Sequence, residues 1–544
     1  MLYPLWSDLR YALRSLIRAP GFTLVAAATL AIGIGANTAI FSVVNGVLLE
    51  PLPFDEPEEL VGVYHTAPVL GYDQFDLSPD TYILIRNEND VFSEMALFNS
   101  SSVNLTGDGD PLRVSAITGT RELADVLKLE FALGRGFTLE EDRPGGPPVV
   151  ILGYDLWQNR YGGDRNILGA SIDLDGTPRE VVGVLPREFD VLNDAALCLP
   201  LAMDPDNPTT GSFGLDSIAR LAPGRTADMA ETLLAPLIDR LVESNEGADT
   251  YLAFIRTGQL GILVNPLKEA VVGDLTQPRW ILLGTVGFVL LIACANVANL
   301  VLVRAESRQR EMAVRAAVGA GRNDIFRHFM AESAVLTILG GVCGIFLAWI
   351  GVPALLALTP DGLPRAGEIG IGAPVLAFTG GLVLLAMLVF GTAPALRFFG
   401  GNYQPALGSS RGTTAGRNRH RVRNLLVAGQ AALALILLVG SGLMLRSFDQ
   451  LQSLNPGFDP EGVLTFQVNL PREGYQSARA AADFNQELID RLSSLPGVTS
   501  VSAANYAPLS GGGSGTAVQA EDIPLSPDEL PAHALVQVRG SGLF

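Results

Sequence analysis

Five stretches of this chain carry no charged residue over 22 positions or more: 19–49, 280–303, 333–360, 369–396 and 424–445. An α-helix needs about 20 apolar residues to cross about 30 Å of hydrocarbon, and it satisfies its own backbone polar groups on the way. A water-facing fold would have to hide all five runs at once, and a membrane asks for nothing of the kind. The expectation is a multi-pass α-helical membrane protein with one span in each run. The first run is too long for the apolar core of a secretory signal, follows a partly charged segment and offers no small-residue cleavage site, so it is expected to remain as an anchor.

Arginine then orients the spans. Arg10, Arg14 and Arg18 precede the first, six arginines fill 304–327, and Arg397, Arg411, Arg417, Arg419, Arg421 and Arg423 fill a connection without one acidic residue. Threading five spans in order puts all three groups on one side, which the positive-inside rule makes the cytoplasm. The other side receives 50–279, with 38 Asp or Glu against 16 Lys or Arg. The formal net charge of -19 thus belongs to that domain and says nothing about nucleic acid, which is not expected as a partner.

The expected order is a cytoplasmic interfacial amphipathic helix at 1–18, transmembrane helix 1 at 19–49, and an extracytoplasmic domain at 50–279. Transmembrane helix 2 follows at 280–303, a cytoplasmic coupling segment at 304–332, and helices 3 and 4 at 333–360 and 369–396. A basic cytoplasmic linker at 397–423, helix 5 at 424–445 and a partial second extracytoplasmic domain at 446–544 complete it. In the first segment Leu5, Leu9, Leu13, Leu16 and Ile17 share one helical face and the three arginines another, until `APG` at 19–21 interrupts the pattern.

The extracytoplasmic segment mixes both periods. From Val149 an apolar strand leads to a short helix with Leu156 and Trp157, a Gly162-Gly163 turn, alternating Ile172 and Leu174, an Asp175-Gly176 hairpin signal and a strand at Val181–Val184. Residues 221–245 read as one helix carrying Met229, Leu233, Leu234 and Leu237. The whole suits one α+β domain or two small subdomains. Beyond the fifth span, 454–471 reads as a turn and strand, 477–493 as a helix, and 496–515 as a strand leaving into a loop. That order looks like a duplicated unit.

In the coupling segment Arg304, Arg308, Glu311 and Arg315 form a charged stripe, with Met312, Ala316 and Ala320 on a different face and Ala313 and Ala317 beside them. Gly319 and Gly321 end or bend that helix, ahead of Arg322. Such a small-residue face beside arginines suits docking of a cytoplasmic partner; lying on lipid phosphates and fixing topology is the competing reading.

The chain has two lysines, Lys128 and Lys268, and neither follows a phosphate-cradling glycine loop, so no ATP hydrolysis is expected of it. Four scattered histidines suggest no metal cluster, and no cofactor is expected. Glu140-Glu141 and Glu58-Glu59 read as solvating pairs. Cys198 alone lies in the extracytoplasmic domain, which excludes a disulfide within it. `GIGANT` at 33–38 falls inside a span, where Gly33 and Gly35 are expected to serve close helix packing. Asn296 and Asn299 are expected to hydrogen-bond between helices.

Several stretches carry a family resemblance: `LWSDLRYALRSLIRAPGFTLVAAATLAIGIGANTAIFSVVNGVLLEPLPF` at the N-terminus, `GRGFTLEEDRPGG`, the run from 149 to 186, and `REMAVRAAVGAGRNDIFRHFMAES`. The chain resembles the MacB/FtsX-type ABC transporter permeases, in particular the duplicated orphan permeases common in acidobacteria. The resemblance implies a MacB-like periplasmic core between helices 1 and 2, a bacterial inner membrane location, and a separate cytoplasmic ABC ATPase dimer. Motion of that ATPase would be relayed outward for export or for handling envelope substrates. Glu311, Ala313, Arg315, Gly319 and Arg322 would belong to the loop that meets it. Membrane lipid is implied as a partner, and a second permease subunit or an extracytoplasmic adaptor stays open. Permeases of the duplicated kind continue through a complete second domain and three more helices, so the ending at Phe544 is expected to truncate the second copy. An FtsX-like scaffold that regulates an envelope enzyme, or an inactive fragment, is the alternative.

Overall fold

The computed structural model describes residues 2–88, 90–107, 110–187, 189, 195–244, 249–272, 276–307, 321–357, 369–399, 416–453, 462–468, 470, 475, 477–504, 514–518 and 532–536. They form two compact units, one of 1–50 with 274–455 and one of 51–273 with 456–544.

Helix α1 (Leu2–Ile17) stops two residues before Pro20, which opens α2 (Pro20–Val44). Proline is at home in a first turn, where its missing N–H has no helical partner to lose. Thr23 ties the joint by donating from Oγ1 to the carbonyls of Leu16 at 2.8 Å and Ala19 at 3.1 Å. The far end of α2 widens into a π-helical turn, Asn45–Leu49, before the backbone becomes extended at Glu50.

The second unit is built on an eleven-stranded sheet. Its strands are β1 (Leu60–Ala67), β2 (Tyr72–Phe75), β3 (Phe92–Thr106), β4 (Leu112–Gly119), β5 (Leu133–Gly134), β6 (Val149–Leu152), β7 (Ser171–Leu174), β8 (Thr177–Val184), β9 (Leu197–Pro200), β10 (Asp216–Leu221) and β11 (Gly261–Pro266). The order is β11-β1-β10-β3-β4-β9-β6-β8-β5, with β2 on β1 and β7 bridging β3 and β8. Pairing is antiparallel except for β4 with β9 and β6 with β8. The helices on it are α3 (Pro79–Glu88), α4 (Leu123–Val126), α5 (Tyr154–Tyr161), α6 (Ala227–Leu234), α7 (Leu237–Ser244), α8 (Asp249–Gly258) and α9 (Leu267–Val272).

Asp175 and Gly176 sit at φ of 53° and 85°, the left-handed pair of a tight hairpin between β7 and β8, and Leu174 faces Thr177 across it. The strand after the turn therefore starts at Thr177, four residues before the apolar run that marks it in sequence. The helix expected over 221–245 is a strand end and two helices. Leu221 closes β10, Thr226 caps α6 through the Met229 N–H at 3.3 Å, and Pro236, with no N–H to donate, separates α6 from α7. Leu234 and Leu237 are buried, while Met229 and Leu233 are exposed.

The remaining membrane-unit helices are α10 (Thr276–Ser307), α11 (Arg322–Ala357), α12 (Ala373–Phe399) and α13 (Gly416–Gln452). Among the described residues five helical stretches are long and apolar enough to cross a membrane: Pro20–Leu49, Leu283–Val301, Asn323–Ala357, Ala373–Thr392 and Val427–Leu451. Small residues let α2 approach its neighbours. A Cβ added at Gly33 would stand 2.7 Å from Ala293 Cβ on α10, and one at Gly35 would stand 2.9 Å from the Gly344 carbonyl and 3.2 Å from Leu347 Cβ on α11. From the α11 side, a Cβ at Gly340 would meet Leu30 Cβ at 2.6 Å.

After α13 the second unit regains a helix, α14 (Ala478–Ser493), N-capped by Ser477 through the Ala480 N–H at 3.1 Å, and a ribbon of β12 (Ser514–Val518) with β13 (Ala532–Val536). The strand expected within 454–471 does not form in 462–468, and 496–504 holds no named strand either. A strand needs a neighbour to take up its backbone groups. Leu464 and Phe466 stay exposed in a stretch without a pairing partner among the described residues.

Candidate coupling site in the membrane unit

Seven of the residues singled out for partner coupling, Arg308, Glu311, Met312, Ala313, Arg315, Ala316 and Gly319, lie outside the described residues. Arg322 opens α11, and its side chain is also outside them. Gly33 and Gly35 are buried on α2 in the approaches given above.

The structure brings together the two ends of the arginine-rich segment. Arg304, in the last turn of α10, and Glu332, nearly three turns into α11, form an ion pair at 3.1 Å with side chains 11% and 16% exposed. Ser15 of α1 sits between them. Its Oγ donates to Glu332 Oε1 at 3.0 Å, and the Arg304 guanidinium donates at 3.1 Å to both the Ser15 carbonyl and its Oγ. The same guanidinium carbon lies 4.3 Å above the Phe22 ring of α2, within cation–π range. One helical turn before Glu332, His328 is buried edge-on against Tyr11 of α1, with ring centroids 5.2 Å apart. Four helices thus meet in one polar knot flanked by aromatic rings.

This knot was not among the sequence expectations, although the chain carries one sign of it. Arg304 is the first charge after the run ending at Val303, and Glu332 the last before the run starting at Ser333. Ser15 is a buried polar residue beside Leu16 and Ala12 on the covered face of α1.

A second polar seam fastens α2 nearer its other end. Asn37 Nδ2 donates to the Val286 carbonyl of α10 at 3.1 Å, Thr38 and Thr379 share a hydroxyl hydrogen bond at 3.0 Å, and Ser42 Oγ donates to the Gly370 carbonyl at 2.6 Å. Phe41 stacks on Phe378 with centroids 3.9 Å apart. The interhelical amide contact expected of Asn296 and Asn299 is made here by Asn37. Asn296 is exposed and the Asn299 carbonyl oxygen has no partner among the described residues.

In the extracytoplasmic unit the `GRGFTLEED` stretch is a structural clasp. Arg135 forks onto Glu141 with both hydrogen bonds at 2.8 Å, and the Thr138 N–H adds a third at 2.7 Å. The guanidinium holds the Glu141 carboxyl down at about 2. Glu141 is therefore buried and paired, contrary to its reading as a solvating acid, and Glu59 likewise reaches Arg220 at 3.4 Å. Burial and the neighbouring Asp76 carboxylate push Asp216 up to about 6. Burial pushes the Cys198 thiol up to about 12, which leaves it unreactive. No group of three His, Cys, Asp or Glu among the described residues could hold a metal ion.

Two family models match successive parts of the chain. Residues 23–237 match the MacB-like periplasmic core domain, and 284–402 match the FtsX-like permease C-terminal region. The chain has the domain architecture of a MacB/FtsX-type ABC-transporter permease. Like that architecture, it is a multi-pass helical membrane protein with a large mixed α+β extracytoplasmic domain between spans. It is 27% identical over 369 residues to the macrolide export ATP-binding/permease protein MacB of Nitrobacter winogradskyi, covering 65% of this chain and 54% of that protein. To the pyoverdine export ATP-binding/permease protein PvdT of Pseudomonas aeruginosa it is 27% identical over 279 residues, 50% of this chain and 39% of that protein. To the uncharacterized ABC transporter permease YknZ of Bacillus subtilis it is 27% identical over 236 residues, 43% of this chain and 56% of that protein. The chain spans about half the length, or less, of these relatives.

Proposed function

We propose that this chain is the permease subunit of a mechanotransmission-type ABC transporter, relaying the ATP-driven motion of a separate cytoplasmic ATPase dimer to its extracytoplasmic domain for export or envelope-substrate handling. The observation that carries the reading is the MacB-like core inserted after the first span and followed by FtsX-like spans. The N-terminus is then cytoplasmic, and Arg308, Glu311, Met312, Ala313, Arg315, Ala316, Gly319 and Arg322 form the face that meets the ATPase. A second copy of the unit, of the duplicated acidobacterial kind, would begin with span α13 and helix α14. An extracytoplasmic adaptor or a second permease subunit fits the same scheme.

The test reconstitutes the full chain in vesicles with the ATPase that copurifies with it. Stimulated hydrolysis, lost on Ala316→Glu with span orientation unchanged, supports the reading. Hydrolysis indifferent to the permease would refute it. Activation of an envelope hydrolase without any nucleotide-dependent movement of substrate would favour the regulatory scaffold.

A further inference from the structure

We propose that Arg304, Glu332 and Ser15 form a latch that closes the base of the 304–332 segment onto α1, so that α1 moves as part of the coupling element. The proposal rests on the coupling reading above only for its consequence; the latch itself stands on geometry. The two ends of the segment are joined to each other by the 3.1 Å ion pair, and both are joined to α1 through one serine. Tyr11 against His328 adds a second contact between α1 and α11 about one helical turn away.

Three features make this a positioning device and not a surface ion pair. The charges are largely covered, at 11% and 16% exposed, so each gains more from the other than an exposed pair would. The Arg304 fork is held in place by Phe22 beneath it, which fixes the direction of its donors. Ser15 accepts from Arg304 and donates to Glu332, so its hydroxyl links the two charges. A push on the segment then reaches α1 and the two spans together. Without the latch, α1 would lose its link to the two charges at the base of the segment.

Hydrogen exchange of the full solubilised chain, without any ATPase, tests the latch. In Arg304→Gln and Glu332→Gln, amides of 10–17 are expected to exchange roughly tenfold faster or more, less than a fully buried pair would give because both side chains keep some exposure. Arg304→Lys, which keeps the charge and loses the fork, should fall between. Peptides around Leu30 and Leu336 report whether the helix core is intact, and Ser15→Ala offers a milder variant if a charge variant does not fold. Unchanged exchange over 10–17 in variants with an intact core overturns the proposal. With the copurifying ATPase, latch variants are expected to lower maximal stimulation while leaving the half-saturating ATPase concentration unaltered. A weakened half-saturating concentration would make these residues part of the docking surface instead. Failure of stimulation in the unaltered chain would sink the coupling reading and leave the latch standing.

Discussion

Replacing Gly35 by valine tests the approach of α2 to the backbone of α11. Its new Cβ would lie 2.9 Å from the Gly344 carbonyl oxygen and 3.2 Å from Leu347 Cβ, where ordinary contact begins at 3.4 Å. The first obstacle is backbone inside a helix, so it cannot rotate aside. Relief requires α2 and α11 to part by about half an ångström for the Cβ alone, and further for the two methyls. Overpacking of this kind costs about 1–3 kcal/mol, which for a unit of this size lowers the melting temperature by roughly 3–10 °C. The control is Gly351→Val, on the same helix α11, where an added Cβ meets nothing within 4 Å. Thermal unfolding of the solubilised chain by far-UV circular dichroism would read both. Equal melting of the two variants would show that the seam tolerates a side chain and that the small residues of α2 have another purpose.

Glu141 is held at about 2, below the usual 4.5 of a free glutamate, so its contribution is complete above about 4.5 and disappears as pH falls toward 2. Glu141→Gln should therefore destabilise the extracytoplasmic unit by about 2–3 kcal/mol at neutral pH and flatten its acid limb, as measured by unfolding across that window. Asp216 has the opposite sign. Raised from 3.8 to about 6, its ionised form costs stability above about 6, and the cost is relieved as pH falls toward 4. Asp216→Asn should raise stability at neutral pH by about 1–2 kcal/mol, after discounting for partial exposure, and the gain should vanish near pH 4. Cys198 should resist a maleimide in the folded chain and react on denaturation, as mass spectrometry would show; labelling without unfolding would contradict its burial.

The spans were legible because hydrocarbon leaves a peptide so few solutions, and 22 uncharged residues are already a near-complete instruction. The β7–β8 hairpin was legible for a similar reason: Asp175-Gly176 tolerates a backbone that other pairs resist. Elsewhere the information lay between residues far apart in the chain. Ser15 and Glu332 are separated by 317 positions, and no local pattern announces that they meet. Glu141 looks like one of two surface acids until Arg135 folds back on it. The helix over 221–245 failed on Pro236, whose missing donor outweighs the apolar periodicity around it. The strand expected within 454–471 failed differently over the described residues 462–468: its alternation is real, and pairing is a property of two segments.

Helix α11 runs for 36 residues, from Arg322 to Ala357, with Pro353 close to its far end. At 1.5 Å per residue it is a rod of about 54 Å, well beyond the hydrocarbon it crosses. Rods of that length act as levers: pivoting by about 5° swings the far tip by about 5 Å, roughly a full turn's rise. Geometrically, a small tilt at one end of such a helix is enough for a side-chain-sized step at the other.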